Sequence, residues 1–401
     1  LATPWVLVTG SMAYNEMTMI LLGAGALLAA LDTEAPSWRT GALVAFLTGC
    51  ACGAKPTAIF MIAPPVAVML LTVHPPKRWP VLVGVGTAVG LATLAPWLIR
   101  NWVHLGNPVF PHLTSVFGTA HWTDEQVARF ASGHRFDGSF AARVSRLILP
   151  ERRPRGGFEQ FGIFHAQWFC FFPLAIIALT VTGIWTPCRR RALALASGFA
   201  LQIIAWLLFT HVQSRFLLPL VLTGSPMIGL LASRLLPVDR RAMHLRAVFI
   251  LLVATLVTMN AWVLMHFDNQ HDHKPNALLV AGVPARTGAY ARRAASEGDL
   301  PGDPWMRAQV RAPGTRLKLI GDATPLYMPG PLVYRTTWDT YDPSLEGIDM
   351  ILVNFAEIQR FERIGWNDPA LTIESIGATL RDLDWTVVAQ SRTSVLLERP
   401  R

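Results

Sequence analysis

Charge is scarce in this chain of 401 residues. Only 15% are Asp, Glu, Lys or Arg, where about a quarter is usual for a soluble domain, so an ordinary water-facing globule is excluded for much of the length. Acid is scarcer than base, 26 residues against 35, which leaves a formal charge of +9. A basic excess raises nucleic acid as a partner. Here, however, the arginines sit in short runs between apolar segments, and no basic stripe with interleaved aromatics lies outside them, so no nucleic acid is expected. Membrane topology and lipid phosphates account for those arginines better. Cysteine is also sparse. Cys50, Cys52, Cys170 and Cys188 all fall in or beside apolar segments, and the C-x-C pair lacks the partners of a zinc site, so neither a disulfide framework nor zinc is expected. A signal peptide is missing as well. Leu1 begins in mid-pattern with no charged n-region, which predicts that the sequence starts inside a longer protein.

What is abundant is apolar. Hydrophobic residues make up 52% and the mean hydropathy is +0.37. Apolar runs of spanning or near-spanning length occupy 14–31, 40–54, 57–73, 81–99, 165–185, 192–210, 216–236 and 246–266. They predict a mainly α fold: a polytopic transmembrane bundle over residues 1–267, with about eight spans and interfacial helices in an outer loop at 100–163. The 40–54 and 57–73 runs are short, and Lys55-Pro56 breaks between them; Pro64-Pro65 should kink the second. If each run crosses once, Lys77-Arg78, Arg189-Arg190-Arg191, Arg240-Arg241 and Arg246 share one side. By the positive-inside rule that side is cytoplasmic, although the 100–163 loop holds eight arginines of its own. The chain is then a multi-pass protein of the inner (plasma) membrane.

Within the outer loop, Thr123-Asp-Glu-Gln126 reads as a capping box that opens a short helix with Val127 and Phe130 on one face. Phe140, Val144, Leu147 and Ile148 form an apolar stripe opposite Arg143 and Arg146, suited to an interface that leaves both arginines to phosphates or water. After Phe267 the pattern changes. His271–Pro275 is a polar junction and Gly288–Ser296 is helix-like. Arg316–Ile320, Leu332–Thr336 and Met350–Asn354 are β-rich, Pro369–Leu383 fits a helix, and Trp385–Ala389 with Ser394–Glu398 form a hairpin pattern. Residues 268–401 are therefore expected to be a small extracytoplasmic α/β domain. Gly321 follows a strand, but no G-x-G-x-x-G follows it, which excludes a dinucleotide loop, and the domain shows no catalytic constellation.

Polar groups recur at the edges of the apolar runs, and there they point to chemistry. Tyr14, Asn15 and Glu16 open one run, Lys55 interrupts the next pair, Arg100-Asn101 closes another, and Gln213-Ser214-Arg215 precedes a fourth. The crossings above put Glu16, Lys55, Arg100 and Arg215 on the outer face. Three converging cations suit a phosphate or pyrophosphate; singly, each is equally an anchor that snorkels to the interface. Glu16 can orient an acceptor hydroxyl or share a divalent cation, Mg or Mn, with a phosphate; it is also what a helix dipole favours in a first turn. His104, His112, His121 and His134 match no tight metal spacing, and neither do His271 and His273.

Gly106-Asn-Pro-Val-Phe-Pro111, with Ser115-Val-Phe-Gly118 after it, resembles an element of the bacterial GT-C membrane glycosyltransferases that use polyprenyl-phosphate-linked sugars. Their relatives include the aminoarabinose transferases and protein O-mannosyltransferases. Ala13-Tyr-Asn-Glu16, Gly53-Ala-Lys55 and Gln213-Ser-Arg-Phe-Leu-Leu-Pro219 fit the same pattern in order. So do Lys318-Leu-Ile-Gly-Asp322, Pro331-Leu-Val-Tyr334 and Ile351-Leu-Val-Asn354 in the C-terminal part. The resemblance implies inverting transfer from a polyprenyl-phosphate sugar to a lipid, polysaccharide or protein acceptor at the outer face. Lys55, Arg100 and Arg215 would then hold the donor phosphate, with Tyr14 and Asn15 also lining the substrate site. Glu16 would be a supporting acidic residue, and the main catalytic aspartate would lie upstream of Leu1. The alternatives are a transporter or flippase, which would need midplane polar groups and inverted repeats, and a non-catalytic membrane scaffold.

Overall fold

The computed structural model describes residues 15–147, 167–184, 189–235, 243–270, 303–323 and 328–400, together with Val6. In chain order its helices are α1 (Glu16–Leu31), α2 (Ser37–Ala54), α3 (Ala58–Met61), α4 (Ala63–Val73), α5 (Trp79–Leu105), α6 (Thr114–Phe117), α7 (Asp124–Gly133), α8 (Phe140–Ser145), α9 (Gln167–Ile184), α10 (Arg189–Phe209), α11 (Leu220–Leu235), α12 (Met243–Gln270), α13 (Pro304–Gln309), α14 (Phe355–Ile364) and α15 (Ile373–Asp382). The strands are β1 (Leu317–Ile320), β2 (Leu332–Val333), β3 (Met350–Asn354), β4 (Thr386–Gln390) and β5 (Ser394–Glu398). Two compact units emerge: Leu1–Val109 with Arg135–Leu278, and Phe110–His134 with Leu279–Arg401.

The first unit is a helix bundle, and every apolar run read from the sequence is helical in it. Among the described residues, two stretches, Pro76–Leu105 and Arg189–Phe209, are long and apolar enough to cross a membrane; the apolar segments of the other helices, such as Arg246–Met259 within α12, are shorter. The expected count of about eight spans is therefore met as helices but not as eight full-length spans. The contact of α2 with α5 is made by small residues four apart, Gly41, Ala45 and Gly49, against Gly86 and Gly90. A Cβ added at Gly41 would lie 2.9 Å from the Leu82 carbonyl oxygen, and one at Gly49 would lie 2.9 Å from Thr93 Cβ. Backbones approach this closely only where side chains are minimal, which is how helices gain packing contacts in a solvent as apolar as themselves. The far side of α5 carries Val83, Leu91, Ile99 and Val103, all exposed.

The proline pair breaks the chain instead of bending it. Helix α3 ends at Met61, and Pro64 and Pro65 fall in the first turn of α4, where a missing N–H costs nothing. The Met61 carbonyl loses its partner four residues on, and Gln202 of α10 replaces it. The Gln202 amide donates to Met61 O at 3.1 Å and to Pro219 O at 3.0 Å, while its oxygen accepts from Thr223 Oγ1 at 2.7 Å. A neighbouring side chain thus satisfies the carbonyl that the helix break released.

Arg143 corrects a sequence expectation. Its guanidinium is not left to phosphates or water: it donates to Leu207 O, to Thr210 O at 3.2 Å and to Phe136 O at 3.5 Å. The first two are carbonyls at the C-terminal end of α10, which have no partner inside the helix and favour a cation. Helix α8 also stops at Ser145, so Leu147 of the expected stripe follows it in a turn, and Ile148 lies outside the described residues.

The second unit is built on a five-stranded sheet of order β2-β1-β3-β5-β4, with β2, β1 and β3 parallel and the β4/β5 hairpin antiparallel. Met350 and Leu352 bury one face of β3, and Ile351 and Val353 bury the other. Covering on both faces explains why the central strands read as unbroken apolar runs. Residues 110–134, assigned from the sequence to the bundle's outer loop, pack in this unit. The Asp339 carboxylate accepts from Trp122 Nε1 at 3.0 Å and from the Thr336 amide and hydroxyl at 2.9 and 2.8 Å, and it pairs with His121 Nε2 at 3.3 Å. Gln126 donates to Thr340, and Arg129 donates to the Trp338 carbonyl. Phe130 meets Trp338 edge to face, His134 packs against it at a tilt, and His134 stacks on Trp366. Burial alone would raise the Asp339 carboxyl, but the donors around it outweigh burial and hold it below the usual carboxylate range. Lys318, buried in β1, gives its ammonium to the Asp342 and Ser344 carbonyls at 2.5 and 2.7 Å. Gly288–Ser296, the helix expected before the sheet, lies outside the described residues.

Candidate functional site

Three remote pieces of the bundle unit meet around Glu16. The first is the start of α1, where a carboxylate in the opening turn is favoured by the helix dipole. The second is the end of α2. Lys55 is its C-cap, with an extended backbone at φ −149° and ψ 119°, because Pro56 cannot continue the helix. The third is the single turn of 3-10 helix Ser214–Leu217.

The Lys55 ammonium lies 2.5 Å from Glu16 Oε1, although 39 positions separate the two in sequence. Glu16 is 2% exposed and the Lys55 side chain 17%, so the pair is taken from water at a depth where neither charge is tolerated alone. Glu16 Oε2 is buried too and accepts no hydrogen bond among the described residues. Asn15 donates to Ala54 O at 2.9 Å and so ties the start of α1 to the end of α2. Arg215 and Lys55 both lie over the ring of Phe216, their cationic groups 5.0 and 5.4 Å from its centroid. Arg215 is close enough to act on the charge of Lys55. Glu16, Lys55 and Arg215 are thus gathered at one place in the bundle unit.

Two buried tryptophans fix the third piece. Trp206 donates from its indole to the Gln213 carbonyl at 2.9 Å, and Trp168 donates to Ser214 Oγ at 3.3 Å. Sequence reasoning missed both, along with Phe216. Their only signals were an aromatic beside Arg215 and two tryptophans in apolar runs, where such residues are commonly anchors or core.

Of the residues singled out from the sequence, Asn15, Glu16, Lys55 and Arg215 come together. Tyr14 lies outside the described residues. Arg100 does not join them: it is exposed on α5 and makes no hydrogen bond or ion pair among the described residues. Its neighbour Asn101 is buried instead and donates to Pro108 O at 3.4 Å. One step of 100° around a helix separates the two. In the Gly-Asn-Pro element, Asn107 is fully buried and its side chain accepts from the Val109 amide at 3.0 Å, which closes the turn. The loop histidines His121 and His134 serve the packing of the second unit. A divalent cation does not fit the donors at Glu16. The carboxylate already holds an ammonium and has a guanidinium close by, whereas Mg or Mn requires several oxygens. No group of three His, Cys, Asp or Glu that could hold a metal occurs among the described residues.

A protein family described as a domain of unknown function (DUF8201) matches residues 16–222. No curated protein matches the chain. Among solved structures, the chain is similar to the crystal structure of ArnT from Cupriavidus metallidurans bound to undecaprenyl phosphate. The TM-score is 0.54 at 16% sequence identity, covering 99% of this chain and 76% of that one. The fold is thus similar to that of ArnT.

Proposed function

The chain belongs to the DUF8201 family, and from that premise we propose that it is an integral-membrane glycosyltransferase of the GT-C type. It moves a sugar from a polyprenyl-phosphate donor to a lipid, polysaccharide or protein acceptor at the outer face of the inner membrane. The unit of residues 1–109 and 135–278 is the membrane bundle in this reading, and the sheet unit, residues 110–134 with 279–401, stands outside. The observation that carries it is the meeting of Lys55 and Arg215 over Phe216 beside the Glu16 carboxylate. The ArnT fold, seen there with a polyprenyl phosphate bound, supports the same class of ligand.

The chemistry follows from charge. The acceptor oxygen attacks the anomeric carbon on the face opposite the phosphate, the carbon–oxygen bond to phosphate breaks, and the phosphate leaves with the electron pair. The acceptor proton goes to a general base, the aspartate that the family resemblance implies. Lys55 and Arg215 stand where the leaving phosphate gains charge, and fixed cations in a water-poor site stabilise that charge without reorganisation. Glu16 holds the Lys55 ammonium in place, and Asn15 ties α1 to the end of α2 beside it. Arg100 serves as a headgroup contact on the exposed side of α5.

The test is transfer from a radiolabelled polyprenyl-phosphate sugar to membrane acceptors by the full-length protein. Lys55→Ala should lower kcat/KM by roughly a hundredfold or more, the range expected when one fixed charge at a developing anion is lost. Wild-type rates in that variant would overturn the assignment.

A further inference from the structure

A cavity in the sheet unit has no part in the site described above. Its volume is about 420 Å³. Five of its lining residues come from the loop at 342–348, and Arg316 before β1 and Val333 of β2 complete the wall. The size falls within the roughly 300–1,000 Å³ usual for small-molecule sites. The loop is held from several sides. Lys318 reaches out of β1 to donate to the Asp342 and Ser344 carbonyls, at 2.5 and 2.7 Å. The Ser344 amide donates to Asp342 Oδ1 at 2.9 Å, and Arg399 donates to the Leu345 carbonyl at 2.7 Å. Ile348, 3% exposed, anchors the loop in the core. On the opposite wall the Arg316 amide donates to Asp349 Oδ2 at 2.7 Å. Gly347, at φ 64°, leaves room for the Arg316 guanidinium, since a Cβ there would stand 3.3 Å from Nη1. The cavity is thus shaped before any ligand arrives, which lowers the entropy lost on binding.

Arg316 and Glu346 line this cavity with opposite charges, yet neither side chain has an ion-pair or hydrogen-bond partner among the described residues. We propose that the cavity binds a saccharide, whose hydroxyls bridge Arg316 and Glu346. A guanidinium only donates and a carboxylate only accepts, whereas neighbouring sugar hydroxyls do both. One ring therefore satisfies two side chains that do not satisfy each other. Ser344 adds a hydroxyl, and Val333 and Ile348 offer an apolar wall to the C–H face of a ring. A simple ion is a poorer occupant. Both charged side chains are exposed, so water screens them and a lone charge gains little there. The proposal does not depend on the donor-phosphate reading; where both hold, the acceptor carries a glycan.

The experiment applies fluorescently labelled full-length protein, in a detergent without a sugar headgroup, to an array of neutral, amino and acidic mono- to tetrasaccharides. Dissociation constants are then measured for the most strongly retained saccharide. The wild-type protein should retain neutral saccharides. Arg316→Ala and Glu346→Ala should each weaken binding by about tenfold or more, the loss expected for hydrogen bonds to a charged group. Both side chains are exposed, so the thermal midpoints should stay at the wild-type value. Lys55→Ala should bind saccharide with wild-type affinity, which separates this cavity from the site in the bundle. Retention of no saccharide by the wild-type protein, or equal retention by both variants, would overturn the proposal. Binding that inorganic phosphate displaces, and that only Arg316→Ala abolishes, would make the cavity an anion site and overturn it as well.

Discussion

The helices of the bundle and those of the sheet unit are stabilised in different ways. In the sheet unit α7, α13, α14 and α15 each begin on a side chain that accepts from the first turn: Thr123, Asp303, Asn354 and Thr372. In the bundle the longer helices α1, α2, α4 and α5 begin with no side-chain cap, and only the six-residue α8 is seen to have one, from Ser139, among the described residues. The capped helices have 6 to 10 residues, below the length at which a helix holds itself in water, so each terminal hydrogen bond matters. The bundle helices rely on close backbone packing and a few buried polar links, because apolar burial gives them little in an apolar solvent. Where solvent is water, sequence marks the ends of elements. Where it is hydrocarbon, sequence marks their lengths, and the ends go to function.

The comparison can be broken most severely in the bundle. Gly41→Val places a Cβ against the Leu82 carbonyl, a backbone atom that cannot step aside, and should cost about 3 kcal/mol. The expected readout is a fall in the thermal midpoint of detergent-solubilised protein, with early proteolysis between α2 and α5. Gln202→Leu should cost about 2 kcal/mol, since it strips the Met61 carbonyl of its partner in a dry place. A loss under 0.5 kcal/mol would show that water replaces the amide.

The sheet unit should respond to acid through Asp339. Asp339 has a folded-state pKa below its unfolded value, so its stabilisation is fully present above the unfolded pKa of about 3.9 and is lost as pH falls through the folded one. Near-ultraviolet signals from the tryptophans around it should fade below about pH 4. Asp339→Asn should flatten that acid limb of the curve. Smallest of all are the caps. Asn354→Ala should cost about 1 kcal/mol, because its side chain accepts from Glu357 N and also donates to Asp322. Asn15→Ala, at the uncapped start of α1, should cost about 0.5 kcal/mol for one exposed hydrogen bond. Equal effects at the two positions would erase the distinction between the units.

The sequence by itself determined a good deal. Apolar length alone placed the bundle helices, because a run of that size has few other fates. The capping box at Thr123 appears as read, since both of its hydrogen bonds are local. Strands β3 and β5 fall where the β-rich runs ended, at Asn354 and Glu398. Polar residues at the edges of apolar runs pointed to Glu16, Lys55 and Arg215. Tertiary structure decided the rest. It joined Glu16 to Lys55 and set Arg215 beside them, turned Arg100 away on an exposed helix face, and sent Arg143 to the end of α10. It drew residues 110–134 into the sheet unit through Trp122, Phe130 and Asp339. The reason is range: hydropathy and caps act within a few residues along the chain, whereas an ion pair spanning 39 positions exists only after packing has chosen which helix ends meet.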